Sequence, residues 1–183
     1  MPESEIRKSH IEQNQLYFWT ATINSWKHLL KDDKMKMEII SSLQWLKKRN
    51  LIALYAYVIM PNHLHFVWSV LGKNGKESPQ GSLLKFTAHR FRQILIQTDP
   101  HLLNQLQVNA ANKTHELWQR DSLAFPLYSR EVTWQKIEYI HNNPVAKNWQ
   151  LAATREAYRF SSADFYYTGK DEFNILTHIG EVI

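Results

Sequence analysis

The sequence predicts an α+β protein: a ferredoxin-like antiparallel sheet with helices packed on one face and an active site on the other. Three observations carry this expectation. The elements run strand, helix, strand, strand, helix, weak strand, helix; residues 62–70 alternate cleanly between two kinds of side chain; and two segments repeat their apolar residues at helical spacing.

Leu16 to Ile23 is rich in aromatic and β-branched residues and predicts the first strand, broken by Asn24-Ser25. From Asp33 to Asn50, Met35, Ile39, Leu43 and Leu46 recur on one helical face, while Lys34, Lys36, Lys47 and Lys48 decorate the rest. Ile52 to Ile59 is a nearly continuous apolar strand. Pro61-Asn62 supplies a turn, and Asn62 to Val70 returns as its hairpin partner. Gly72 to Gly81 mixes Gly, Lys, Asn, Ser and Pro without periodicity and predicts an exposed loop, after which Ser82 caps a helix closed by Pro100. Leu84, Ala88, Phe91 and Leu95 form its apolar stripe. Residues 101–116 carry no clear pattern. Leu117 to Tyr128 predicts a fourth strand, and Pro126 places it at a sheet edge. Thr133 caps a last helix through Ile140. The whole chain, residues 1–183, is expected to form one domain, with a core over about 14–150 and a C-terminal appendage over 151–183. Whether its tail, Gly169 to Ile183, orders over the site is left open.

Composition narrows the function. With 44% hydrophobic and 21% charged residues the chain is neither disordered, collagenous nor heptad-dominated. Zero cysteines exclude a disulfide scaffold, a thiolate zinc site, an iron–sulfur centre and a cysteine nucleophile. Any metal must then use His, carboxylate or amide ligands. The net charge of +5 permits a polyanionic partner without requiring one. Aromatics at 13% serve equally as core filler or as platforms for unstacked bases. Met1 to His10 is charged with no apolar stretch behind it, and the run Leu51 to Met60 is too short to span a bilayer, so a soluble cytoplasmic protein without a membrane partner is expected.

Two constellations could carry chemistry. In the strand over 62–70, the period of two puts Leu64, Phe66, Trp68 and Val70 on one face and His63, His65, Val67 and Ser69 on the other. The two imidazoles are displayed together, close enough for one cation; the same pattern also describes an exposed or hydrogen-bonded pair of strand histidines. The residues after His65 lack the further ligands that a dinuclear hydrolase with His-x-His-x-Asp-His would place there. In the last helix, Lys136, Tyr139 and Asn143 share a face at i, i+3 and i+7. A tyrosine hydroxyl can attack a phosphodiester, and an amide oxygen one turn away can join two histidines on a divalent cation. The alternative is that Tyr139 packs with its hydroxyl satisfied and Asn143 ends the helix before Pro144, which also disfavours helical geometry at Asn143.

Taken together, His63-Leu64-His65 in a strand and the later Tyr139-Ile140-His141-Asn142-Asn143-Pro144-Val145 resemble the HUH single-tyrosine transposases. Further pieces resemble the REP-associated tyrosine transposase branch: Tyr17-Phe18-Trp19-Thr20, Met60-Pro61-Asn62, Trp118-Gln119-Arg120-Asp121, and Tyr158-Arg159-Phe160-Ser161-Ser162-Ala163. The resemblance spans roughly Leu16 to Tyr167. It implies Mg²⁺ or Mn²⁺ held by His63, His65 and Asn143, with Tyr139 as the nucleophile that cuts single-stranded or hairpin DNA. It also implies a 5′-phosphotyrosine and a free 3′-hydroxyl that later rejoins strands without external energy. Relatives of this type include both homodimers and monomers, and the residues leave that choice open. The sequence offers Lys85, His89, Arg90 and Arg92, with Lys73 and Lys76 before them, as a phosphate-binding patch or as an ordinary solvated helix face. Lys136 is a further DNA-contact candidate, equally readable as a surface lysine. Two other functions compete: a non-catalytic module that binds structured DNA, and a metal hydrolase with no use for Tyr139.

Overall fold

A computed structural model describes residues 11–110, 113–120 and 122–183. The charged lead Met1 to His10 and Asp121 lie outside the described residues. In chain order the elements are β1 (Leu16–Thr22), α1 (Asp33–Lys48), β2 (Ile52–Ile59), β3 (His63–Val70), α2 (Pro79–Thr98), α3 (Pro100–Asn104), β4 (Gln107–Ala110), β5 (Lys113–His115), β6 (Leu123–Pro126), α4 (Arg130–Asn142) and α5 (Ala163–Thr168). One antiparallel sheet runs β2-β3-β1-β6, and β4 and β5 pair separately. Strand, helix, strand, strand, helix, strand in this order is the ferredoxin-like arrangement the sequence predicts.

Register sorts the side chains. Trp19 lies opposite Phe66, and Thr20 opposite His65, across β1 and β3. Trp19, Phe66 and Trp68 therefore share one face, are fully buried, and pack ring on ring at 5.0–5.5 Å. The α1/α2 layer covers this face, and Arg90 on α2 holds Glu38 on α1 through two nitrogen–oxygen contacts of 3.0 Å. The opposite face carries the histidines, and α4 lies across its β2/β3 half. That half is lined by small side chains, Ala56 beside Val67 and Val58 beside His65, which leave room for a helix.

Several boundaries move for local reasons. α2 begins at Pro79 with Ser78 as its cap, not at Ser82, because proline suits the first helical position and the Ser78 hydroxyl accepts from the Gly81 amide. Its buried stripe turns accordingly, to Leu83, Thr87, Phe91, Ile94 and Leu95. Pro100 both follows the end of α2 and opens α3 behind the Asp99 cap. Of Leu117 to Tyr128, only β6 is extended in the sheet; Leu117 and Trp118 are buried instead, with the Trp118 indole donating to Thr87 on α2 and stacking near Phe91. α4 is capped by Ser129 rather than Thr133, whose hydroxyl is buried and donates to the Ser129 carbonyl.

Residues beyond 151 close the free edge of β2. The Ile59 and Ser162 amides exchange bonds with Phe160 and Tyr57 carbonyls, and the Thr177 amide donates to Leu54, each at 2.9 Å. Phe173, Ile175, Leu176 and Ile179 are buried in the same core cluster as the sheet. The tail thus runs along β2. Among the described residues no helix is long and apolar enough to cross a membrane.

Candidate active site

The site forms where the histidine face meets α4. His63 and His65, two residues apart on β3, bring their ring centroids within 4.8 Å. Both are buried, and each holds its Nδ1 on a neighbour. His65 Nδ1 is 2.7 Å from the Thr20 hydroxyl, its cross-strand partner on β1. His63 Nδ1 donates to Asn62 Oδ1 at 2.6 Å, and the amide nitrogen of Asn62 donates to the Trp26 carbonyl at 3.3 Å. Asn62 is thereby oriented as an acceptor, leaving the lone pair of His63 on Nε2. His65 Nε2 is buried with no partner. Burial pushes the His63 imidazole down to about 4. Burial, reinforced by His63 and Lys136 nearby, pushes His65 down to about 3. At neutral pH both rings are therefore uncharged, the form that binds metals.

α4 brings Tyr139 over this pair. Its ring meets His65 edge-on at 5.4 Å and Phe18 at 6.1 Å, while Phe18 stacks on His65 at 5.2 Å. Half of Tyr139, 51%, remains exposed. Tyrosine and histidine of one chain are thus in ring contact. Lys136, one turn earlier, sits 5.0 Å above the Phe18 ring, on the same side. Asn143 is buried and retains helical dihedrals, φ −56 and ψ −47, so Pro144 does not displace it from the turn after Tyr139. The chain then turns back, and Trp149 packs 5.8 Å from His63 and 5.8 Å from His28.

Two neutral imidazoles are donors that a divalent cation can take. Nδ1 atoms anchored by hydroxyl and amide groups and an orphaned buried Nε2 form the outer-shell pattern of metal-binding histidines. Among the described residues no three His, Cys, Asp or Glu side chains gather. A third protein donor would have to be an amide or hydroxyl, which is the class Asn143 supplies.

The helix α2 candidates lie elsewhere. Lys85, His89, Arg90 and Arg92 stand on the layer covering the opposite face of the sheet. Lys85 is 3.5 Å from Glu77, the Arg90 guanidinium is taken by Glu38 and Gln93, and His89 contacts Gln93 at 3.0 Å. Arg92 is exposed. Of the sequence-derived set, then, His63, His65, Tyr139 and Lys136 are in mutual contact or one ring apart, Asn143 caps the end of α4, and the α2 cations stand on the opposite layer. The sequence carries Phe18, Thr20 and Asn62 only within the motifs Tyr17 to Thr20 and Met60 to Asn62, with no role attached, and gives no signal for Trp149; sheet register and a chain reversal bring Phe18, Thr20 and Trp149 to the site.

The chain superposes on the structure of a REP-associated tyrosine transposase bound to a REP hairpin, with a TM-score of 0.61 at 15% identity, covering 98% of this chain and 93% of that one. A transposase candidate from Deinococcus radiodurans R1 matches with a TM-score of 0.43 at 18% identity over 84% of this chain and all of the other. The sequence matches no protein-family model and no curated protein. This chain therefore shares the fold of the REP-associated tyrosine transposase.

Proposed function

We propose that this protein is a metal-dependent enzyme that cleaves and rejoins single-stranded DNA at hairpins, with Tyr139 as nucleophile. One observation carries the proposal: a half-exposed tyrosine ring lies against His65, one of two neighbouring buried histidines, whose Nε2 is buried without a partner. The shared fold with a transposase seen on a DNA hairpin supports the choice of substrate.

His63, His65 and Asn143 would hold Mg²⁺ or Mn²⁺. Such a cation, when bound, polarises the scissile phosphate and offsets the charge that accumulates on its oxygens. Thr20 and Asn62 lock the imidazoles in the orientation this requires. Phe18 backs both His65 and Tyr139, so the phenol and one of the two imidazoles rest on one side chain. The Tyr139 oxygen attacks phosphorus, forming a tyrosyl phosphodiester on the 5′ side. The bond to the 3′ oxygen breaks; the phenolic proton passes to solvent, and the departing 3′ oxygen takes one proton from solvent to become a 3′-hydroxyl, so no net proton is released. Lys136 places positive charge beside the phenol and phosphate. In the reverse step a 3′-hydroxyl attacks the tyrosyl phosphate and returns the proton to Tyr139. One phosphodiester is exchanged for another, so no nucleotide is consumed.

The test is incubation of wild-type protein and Tyr139→Phe with labelled single-stranded hairpins and Mn²⁺, followed by a denaturing gel. A metal-dependent protein–DNA band is expected for the wild type and absent from the variant. Retained hairpin binding with no band from either protein would replace this proposal with a non-catalytic structured-DNA-binding module.

A further inference from the structure

β6 ends the sheet beside the site, and two of its side chains depart from what an exposed edge normally shows. Phe125 lies opposite Phe18 and Leu123 opposite Thr20 on β1. Both therefore point to the histidine face, and Leu123 stands in the same cross-strand row as Thr20 and His65. They are 47% and 48% exposed. Edge strands are ordinarily blunted with charge, because exposed apolar edges invite unwanted pairing. Here the apolar pair is left bare because α4 covers only the β2/β3 half of the face, with Tyr139 and Lys136 reaching as far as Phe18.

The sheet face around the pair carries no negative charge: no β1, β3 or β6 residue on this face is acidic, and Lys136 stands at its border. An apolar strip edged by a cation and leading to a half-exposed tyrosine suits a ligand with flat apolar faces on an anionic backbone. We infer that Leu123 and Phe125 form a shelf on which unpaired nucleobases flanking the scissile phosphate stack; this rests on the DNA chemistry proposed for Tyr139. Two residues along a strand are about 6.5 Å apart, enough for one unstacked base to lie on the Phe125 ring while the next packs against Leu123. A second copy of the chain adding a strand here is disfavoured by Pro126, which has no N–H to contribute to a ladder.

The test compares a hairpin bearing a short unpaired flank with the same hairpin whose flank is abasic, bound in EDTA by wild type, Phe125→Ala and Leu123→Ala. Wild type should bind the abasic flank about tenfold more weakly. Phe125→Ala should lose about tenfold on the ordinary flank and cease to distinguish the two, with its thermal midpoint unchanged. Equal binding of both flanks by the wild type, or unaltered binding by Phe125→Ala, overturns the shelf. Sedimentation that shows Phe125→Ala dissociating a wild-type dimer, without base dependence, overturns it in favour of self-association. The two proposals separate cleanly. Base dependence without any tyrosyl adduct upholds the shelf and removes the Tyr139 chemistry, whereas adducts without base dependence do the reverse.

Discussion

Thr20 and Asn62 decide which imidazole nitrogens face the crevice. Each takes an Nδ1, and neither needs to touch a ligand to govern how one binds. Thr20→Val keeps the shape and removes the hydroxyl, leaving His65 Nδ1 without its anchor. Loss of such an outer partner should weaken Mn²⁺ affinity about 10–100-fold, read by titration calorimetry. The histidine pair itself was legible in the sequence because a strand's period of two is local. Thr20 was not, since its bond to His65 spans 45 residues and exists only through the β1–β3 register.

At the scale of elements, α4 carries the nucleophile, and its first turn depends on Ser129. Ser129→Ala removes the bond to the Val132 amide and should cost about 1 kcal/mol in urea denaturation. The helix was expected from Thr133, four residues too late, because both residues can cap and only the path of the chain after β6 selects between them. On α2, the Arg90 side chain is spent on Glu38, a residue 52 positions away, a pairing that no local window contains. Arg90→Gln should lower the thermal midpoint and leave the salt dependence of hairpin binding unchanged. Lys136→Gln should reduce the slope of log K against log salt by about 1, because its ammonium stands on the site face.

For the whole molecule, the C-terminal residues serve as the missing neighbour of β2. Deleting residues 170–183 removes the Thr177–Leu54 bond and the buried Phe173, Ile175, Leu176 and Ile179. The expected outcome is loss of the cooperative unfolding transition and concentration-dependent association, both visible by calorimetry and sedimentation. Acid stability is also a property of the whole fold. His63, His65 and His141 are held neutral by burial, at about 4, about 3 and about 4. The unfolded chain takes up their protons below about pH 6.5, while the folded chain resists until its own lower values are reached. Stability should therefore be complete above about pH 6.5, fall as pH drops toward about 4, and level off near about 3. Urea midpoints across that range, with and without His141→Gln, measure the effect; the variant should flatten part of the slope.

The sequence by itself determined what depends on short-range periodicity: the element order, the βαββαβ frame, the two-faced strand with its paired imidazoles, and the one-turn spacing of Lys136, Tyr139 and Asn143. Tertiary structure alone decided that α4 lies on the histidine face rather than with α1 and α2, that Phe18 backs both tyrosine and histidine, and that Leu123 and Phe125 remain bare at the edge. The physical reason is range. Periodicity is set by backbone geometry within a few residues, whereas register, layer assignment and the pairing of distant charges follow from which surfaces bury one another, and no local window contains both partners.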